Sequence, residues 1–267
     1  MNKLSDNSHT LFLKKVKRSK RIVVVLRILI AVVVIGGWEL LSGLGIIDSF
    51  IFSSPSRIIR CFVELSKDGA IFKHMGITIL ETLVAFFIVI IASILIAIIM
   101  WRFRTVFKVM EPYFVLLNSL PKSALAPLLI VWLGNNYKTI VVAAVSVAVF
   151  GAILSIYTSF IEIEDEKIRL IKTLGGNRFH TLYLLVIPHS MPSIINTAKV
   201  NLGLSLVGVI IGEFLAARQG LGYMIIYATQ TFKMDWVLLS IVILCILSVG
   251  LYQLINIAEK KIGKLNT

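Results

Sequence analysis

The sequence predicts an all-α membrane protein with six transmembrane helices, and three observations predict it. Of the 267 residues, 58% are hydrophobic and only 15% charged, whereas an ordinary soluble domain is about half apolar and about a quarter charged. The apolar residues fall in runs long enough to cross a bilayer, and the basic residues gather on one side of those runs. Backbone amides in hydrocarbon must be satisfied within the segment, so such runs are helices unless a barrel forms. Barrel strands would alternate apolar and polar residues, and no alternation is present.

The six runs are Ile28 to Leu44, Ile77 to Met100, Pro112 to Leu133, Thr139 to Phe160, Pro192 to Gly212 and Trp236 to Ile257. The fourth and sixth contain no charged residue. The formal charge of +13 would also suit a nucleic-acid surface, so the placement of the basic residues decides. With a cytoplasmic N-terminus, eighteen Lys and Arg fall on the inner side (residues 1–27, Arg102 to Lys108, residues 161–188 and the end after Ile257) and seven on the outer side, with Lys122 and Lys199 inside helices. That asymmetry follows the positive-inside rule, so the expected partner of this surface is a lipid bilayer and not nucleic acid. Both termini are expected in the cytoplasm of a bacterial cell, with the chain in the plasma membrane.

Residues 1–27 form a basic N-terminal segment, expected to be flexible or interfacial over 1–21 and not a cleaved signal, because the apolar run continues through Trp38 and no small-residue cleavage site follows. Residues 28–257 form the transmembrane domain and 258–267 a tail. Between the first two runs, Ser53-Ser54-Pro55-Ser56 reads as a turn starting a short amphipathic helix with Ile58, Ile59, Phe62 and Leu65 on one face. The third run is interrupted at Asn118-Ser119-Leu120-Pro121-Lys122. Pro121 lacks an N–H and biases Leu120 away from helix, which predicts a kink facing the bundle interior, whether for pathway lining or for packing.

The segment 161–188 is polar but patterned. Glu162, Glu164, Asp165 and Glu166 precede Lys167, Arg169 and Lys172, the order that complements a helix dipole, and Gly175-Gly176 provide a stop. Asn177 can cap a second helix in which Phe179, Leu182, Tyr183 and Val186 form one apolar stripe ending at Pro188. The expectation is a helical hairpin with a docking face.

Within that hairpin, Leu174-Gly175-Gly176-Asn177-Arg178 followed by Leu185-Val186-Ile187-Pro188 resembles the loop of binding-protein-dependent ABC permeases, whose pattern is E-A-A, three residues, G, nine residues, I-x-L-P. Four further stretches resemble the nitrate, sulfonate and taurine branch: Ser53-Ser54-Pro55-Ser56, the run from Leu120 to Leu128, Trp132-Leu133-Gly134, and the run from Gly212 to Tyr223, which holds Glu213 and Gly220-Leu221-Gly222-Tyr223. Together they span residues 50–257. One departure stands out: Arg169-Leu170-Ile171 occupies the E-A-A positions, and Glu166, one turn earlier, is the nearest acidic substitute.

The resemblance implies a MetI-like type I importer bundle in which two copies of this chain join two cytoplasmic ATPases and an external solute-binding protein. The transported solute would be small and anionic or sulfonate-like. It further implies an ATPase-coupling loop that includes Glu166, Arg169, Gly175, Gly176, Phe179, Tyr183 and Pro188. The chain has no G-x-x-x-x-G-K-[ST] phosphate loop, so hydrolysis is expected on the partner and not here.

Glu39, Glu81, Lys122, Lys199 and Glu213 lie in or beside apolar runs, where a charge costs at least about 2.5 kcal/mol, so each needs a partner or a wet cavity. Glu39 and Glu213 sit near run ends and are expected to reach the interface. Pro121, Lys122, Lys199 and Glu213 are the candidates for facing a pathway, with pairing to an acid an equal alternative for Lys199. Cys61 and Cys245 form no C-x-x-C pair and His189 has no ligand-spaced neighbours, so no metal, cofactor or catalytic site is expected. The competing function is a secondary transporter or channel using the intramembrane charges.

Overall fold

In the computed structural model the backbone is described for residues 2–263 and the side chains for residues 21–257 and Glu259. All regular structure among the described residues is helical: α1 (Asn2–Gly43), α2 (Ser49–Phe52), α3 (Pro55–Lys67), α4 (Ala70–Arg102), α5 (Arg104–Ser119), α6 (Lys122–Leu133), α7 (Tyr137–Ile161), α8 (Asp165–Thr173), α9 (Arg178–Thr181), a π-helical turn (Leu182–Val186), α10 (Ile187–Ala216), α11 (Leu221–Gln230) and α12 (Met234–Gly263). The chain divides into two units, residues 1–64 and 65–267.

In the first unit, residues 2–21 are helical and continuous with the helix that becomes the first span. Glu39 is partly exposed and also bonded to α3. Its carboxylate accepts the Ser56 N–H (3.0 Å) and the Ser56 hydroxyl (2.8 Å), capping the start of α3, where Pro55 occupies the first helical position, a place that needs no N–H. The buried residues of α3 are Ile58 and Cys61, while Ile59 faces out, so the inward face is rotated from the one the sequence suggested.

The second unit is built on α4, α7 and α10, each showing a buried stripe at four-residue spacing. On α4 it is Glu81, Ala85, Val89, Ser93 and Ala97; on α7 it is Ile140, Ala144, Ala148, Ala152 and Ile156. Gly208 and Gly212 of α10 press onto α7: an added Cβ would lie 2.5 Å from the Cα of Ala144 and 2.9 Å from that of Ile140. Small residues let helix backbones approach closely in lipid, where no hydrophobic force drives helices together. Hydroxyl bonds reinforce the contacts, Ser190 to the Ser159 carbonyl (3.0 Å) and Ser155 to Thr197 (2.8 Å).

Ala85, midway along α4, packs with Ile140 and Ala144 near the start of α7, and Ala97 and Met100, near the end of α4, pack with Ile153 and Ile156 further along α7, so α4 and α7 run parallel. Two parallel neighbours require the chain between them to return across the bilayer, and only α5 and α6 lie between. They are bent by 96° at Leu120-Pro121, with Leu120 extended at ψ 138°, the conformation a following proline imposes. The bent pair is therefore the third of six spans, broken and not merely kinked. The break does not face the interior of this chain: Ser119, Leu120 and Pro121 are exposed.

The fifth span also differs from its sequence reading. Pro188 does not end the second loop helix; the chain is continuously helical from Arg178 to Ala216. A proline ring collides with the carbonyl four residues back in a regular helix. The π turn directly before it, closed by the Ile187 N–H to the Leu182 carbonyl, widens the helix and admits the ring. At the other terminus, residues 258–263 extend α12, and the rest of the tail lies outside the described residues.

Candidate functional site

The loop between α7 and α10 is a hairpin locked at its turn. Asp165 and Glu166 occupy the first turn of α8 and Lys172 the last, favourable ends for the helix dipole. Gly175, at φ +82°, donates to the Lys172 carbonyl (3.0 Å) and Gly176 to the Ile171 carbonyl (2.9 Å), which together make a Schellman stop. Two residues later Asn177 begins α9 with a reciprocal cap: its side chain accepts the His180 N–H (2.9 Å), and His180 Nδ1 accepts the Asn177 N–H (3.3 Å).

Nothing lies within 4 Å of a Cβ added at Gly175, so only its backbone conformation demands glycine. Gly176 is the crowded position, because a Cβ there would meet Ile171 Cγ2 at 2.5 Å and its carbonyl oxygen at 2.8 Å. Ile171 stands at the second alanine position of the loop pattern, and Gly176 supplies the room its larger side chain takes.

The apolar stripe divides. Val186 is fully buried, and Leu182 packs beside it with Ile168 in a cluster that includes Met100, Tyr157, Phe160 and Ile163. Phe179 and Tyr183 turn outward, 70% and 66% exposed, with their rings parallel at 6.5 Å. Leu170 and Leu174 are also exposed, at 60% and 79%. Inner residues thus fix the hairpin to the bundle while these four large apolar side chains, and Leu184 after them, remain uncovered. Glu166, Arg169 and Pro188 are exposed on the same segment.

At the opposite end of α10, polar groups are hidden instead. Glu213 does not reach the interface; it is 1% exposed. Its carboxylate accepts the Thr78 hydroxyl (2.7 Å) and the Gly222 N–H (2.5 Å), and the Thr78 oxygen in turn accepts the Leu221 N–H (2.8 Å). His74 Nδ1 accepts the Gly220 N–H (3.0 Å). These bonds satisfy N–H groups that the start of α11 leaves without intrahelical partners. Gly220, at φ +112°, and Gly222 both lie against the Glu213 carboxyl, where any Cβ would overlap it. The spacing of Glu213 from Gly220-Leu221-Gly222 is thus a cap supplied from the preceding helix. The buried carboxyl of Glu81 neighbours that of Glu213, and its Oε2 meets no donor.

The remaining candidates are partnered locally. Lys122 Nζ donates back to the Leu117 carbonyl at the end of α5 and lies 5.5 Å from the Phe150 ring centre. Lys199 pairs with Glu259 of α12 at 2.6 Å. The structure therefore brings Glu166, Arg169, Gly175, Gly176, Phe179 and Tyr183 into one hairpin and does not gather Pro121, Lys122, Lys199 and Glu213. Thr78 and His74 were missed by sequence reading, since a lone threonine or histidine near a span gives no signal until folding brings it to residue 220.

Comparison with known proteins places this architecture. A family profile described as binding-protein-dependent transport system inner membrane component matches residues 89–264. The protein described as "Putative aliphatic sulfonates transport permease protein SsuC" of Bacillus subtilis (strain 168) is 22% identical over 237 residues, 89% of this chain and 86% of that one. The taurine transport system permease protein TauC of Escherichia coli (strain K12) is 23% identical, over 79% of this chain and 78% of that one. Among solved structures, an inward-facing form of the MetNI methionine ABC transporter superposes with a TM-score of 0.61 at 16% identity, covering 74% of this chain and 96% of that one. With six spans, a locked loop between the fourth and fifth, and a profile match across most of the bundle, this chain belongs to the family of binding-protein-dependent transport system inner membrane components, the permeases of ABC importers.

Proposed function

We propose that this chain forms the pathway of an ATP-driven importer as a pair of identical copies, with two cytoplasmic ATPases docked on loop 161–188 and a solute-binding protein on the outer face. The uncovered cluster of Leu170, Leu174, Phe179 and Tyr183 carries this reading. Four large apolar side chains held on a capped hairpin form a surface that a groove on another protein would bury. Glu166 and Arg169 would flank that contact, Gly175 and Gly176 would hold its turn, and Pro188 would lie at its junction with the span. The family supports the ATPase and the binding protein.

The break at Leu120-Pro121 supports the pairing. Irregular backbone at membrane depth persists only against protein or a watery cavity, and here it is exposed on the single chain. A second copy across a shared pathway would cover it. Lys122 and Lys199 already have local partners, so neither stands as a free positive charge for an anion. The solute is proposed to be a sulfonate or taurine-like compound from the transport named for the relatives. Both termini and the loop would face the cytoplasm, as the excess of basic residues on that side favours.

Reconstitution tests this. Vesicles containing the chain with its ATPase and binding protein should take up labelled taurine or an alkanesulfonate only with ATP, and the chain alone should take up none. Leu174→Ser with Tyr183→Ser should reduce ATPase co-purification by about tenfold or more, as expected when two central contacts are lost. Uptake by the chain alone under an ion gradient would overturn the reading in favour of a secondary transporter.

A further inference from the structure

Beside the hairpin, a cavity of about 580 Å³ opens between the α4–α5 turn and helices α8 and α9. Its lining includes Arg102, Arg104, Lys172 and Arg178 and no carboxylate. Among the described residues none of these four cations forms an ion pair: the recorded pairs are Lys167 with Glu164 and Lys199 with Glu259. Arg102 lies over the Phe103 ring at 5.0 Å, a weak attraction that supplies no negative charge. Four like charges converging on one concave surface repel each other and are stabilised by a bound anion.

Two further features specify the anion. Arg104 and Thr105 line the cavity as the first two residues of α5, and Phe103 before them offers no side-chain cap, so the helix start presents unsatisfied N–H groups and its positive dipole end. Three of the four cations are arginines, whose planar forks match phosphate oxygens two at a time. Trp101, which also lines the cavity, lies in the last turn of α4 and is of the residue type enriched between hydrocarbon and headgroups.

We propose that this cavity binds a phosphate group, presented by an anionic lipid headgroup or by a soluble phosphate, and that the bound group ties the α4–α5 turn to the hairpin. Basic pockets between spans on the cytoplasmic side are suited to lipid phosphates. The lipid source rests on the orientation proposed above; the convergence of cations does not, so binding in detergent can succeed even if that orientation fails. With the group in place, α8 and α9 are held against the end of α4 by charge as well as by Ile168 and Leu182. The hairpin's rigidity would then depend on the occupancy of the cavity.

The test uses the purified full chain in neutral detergent, with native mass spectrometry counting retained phosphatidylglycerol, phosphatidylcholine as the zwitterionic control, and inorganic pyrophosphate as the soluble probe. The wild-type chain should retain phosphatidylglycerol over phosphatidylcholine, and the preference should weaken as salt rises. The double variant Arg102→Gln, Arg104→Gln should lose retention by roughly thirtyfold, the effect of two cations at a membrane surface. Lys167→Gln, on the same hairpin but outside the cavity, should retain it. Arg104→Lys, which keeps charge and fold, should give an intermediate loss, so the result does not depend on the double variant folding. Displacement of phosphatidylglycerol by pyrophosphate would assign the soluble source, and retention unaffected by pyrophosphate the lipid source. Equal retention of the two lipids without pyrophosphate binding, or retention unchanged in the double variant, would overturn the proposal.

Discussion

The hairpin before α10 and the turn after it sit at the two ends of one helix, both bend the chain on glycines, and they treat their side chains in opposite ways. The hairpin satisfies its backbone locally through the Schellman stop and the Asn177–His180 cap and leaves Leu174 and Tyr183 uncovered. The turn at Gly220 satisfies its backbone from a distance, through Glu213, Thr78 and His74, and buries the carboxyl. An element capped by its own residues can move as a unit or dock elsewhere. One capped by neighbouring helices fixes those helices to each other. The first arrangement suits a moving contact with a partner, and the second suits a joint that holds α4, α10 and α11 together.

The largest break in that comparison should come from Glu213→Ala. It leaves the Gly222 N–H buried without an acceptor and strips the Thr78 hydroxyl of its partner, at a cost of about 3 kcal/mol. Thermal unfolding in detergent should show a clear drop in the midpoint, with Glu213→Gln much milder because the amide keeps an acceptor oxygen. An unchanged midpoint for the alanine variant would mean that the joint contributes nothing to stability.

A smaller effect should separate the two loop glycines. Gly176→Ala drives a Cβ into Ile171 and should cost roughly 1 to 3 kcal/mol locally. Gly175→Ala places a side chain in open space and suffers only the left-handed conformation, about 1 kcal/mol. Hydrogen exchange across residues 165–181 should therefore accelerate more in Gly176→Ala, and ATPase association should follow the same order. Combining Gly176→Ala with Ile171→Ala should restore protection only in part, because the Ile171 carbonyl oxygen stays 2.8 Å from the added Cβ, and the reverse order of the two glycines would show that backbone conformation, and not packing, holds the hairpin.

The smallest perturbation tests sidedness. Cysteines at residues 178 and 218, both exposed or partly exposed and at opposite ends of α10, should change stability by less than about 0.5 kcal/mol. In intact cells, an impermeant thiol reagent should label position 218 and spare 178 until lysis. Labelling of 178 without lysis would invert the comparison and with it the orientation of the whole chain.

Much of this was legible in the chain because it depends on short-range chemistry. Span length, the charge asymmetry, the Leu120-Pro121 break, the Gly175 stop and the Asn177 cap are each decided by a few adjacent residues, whose hydrogen-bonding and steric limits hold in any fold. Where the sequence misled, a longer-range term prevailed. Pro188 was read as a terminator, but a π turn accommodates it because the surrounding helices hold Leu182 and Val186 in place. Glu213 was read as reaching water, but a carboxyl can remain buried where donors converge on it, and those donors come from residues 78 and 222. By itself the sequence determined the run lengths that make the spans and the positions of the turns, since backbone satisfaction in lipid leaves helices as the only solution for such runs. Only the tertiary structure decided which side of each helix is buried, which glycine is crowded and which charges are paired, because those depend on atoms far apart in the chain that meet only when α4, α7 and α10 pack at backbone distance.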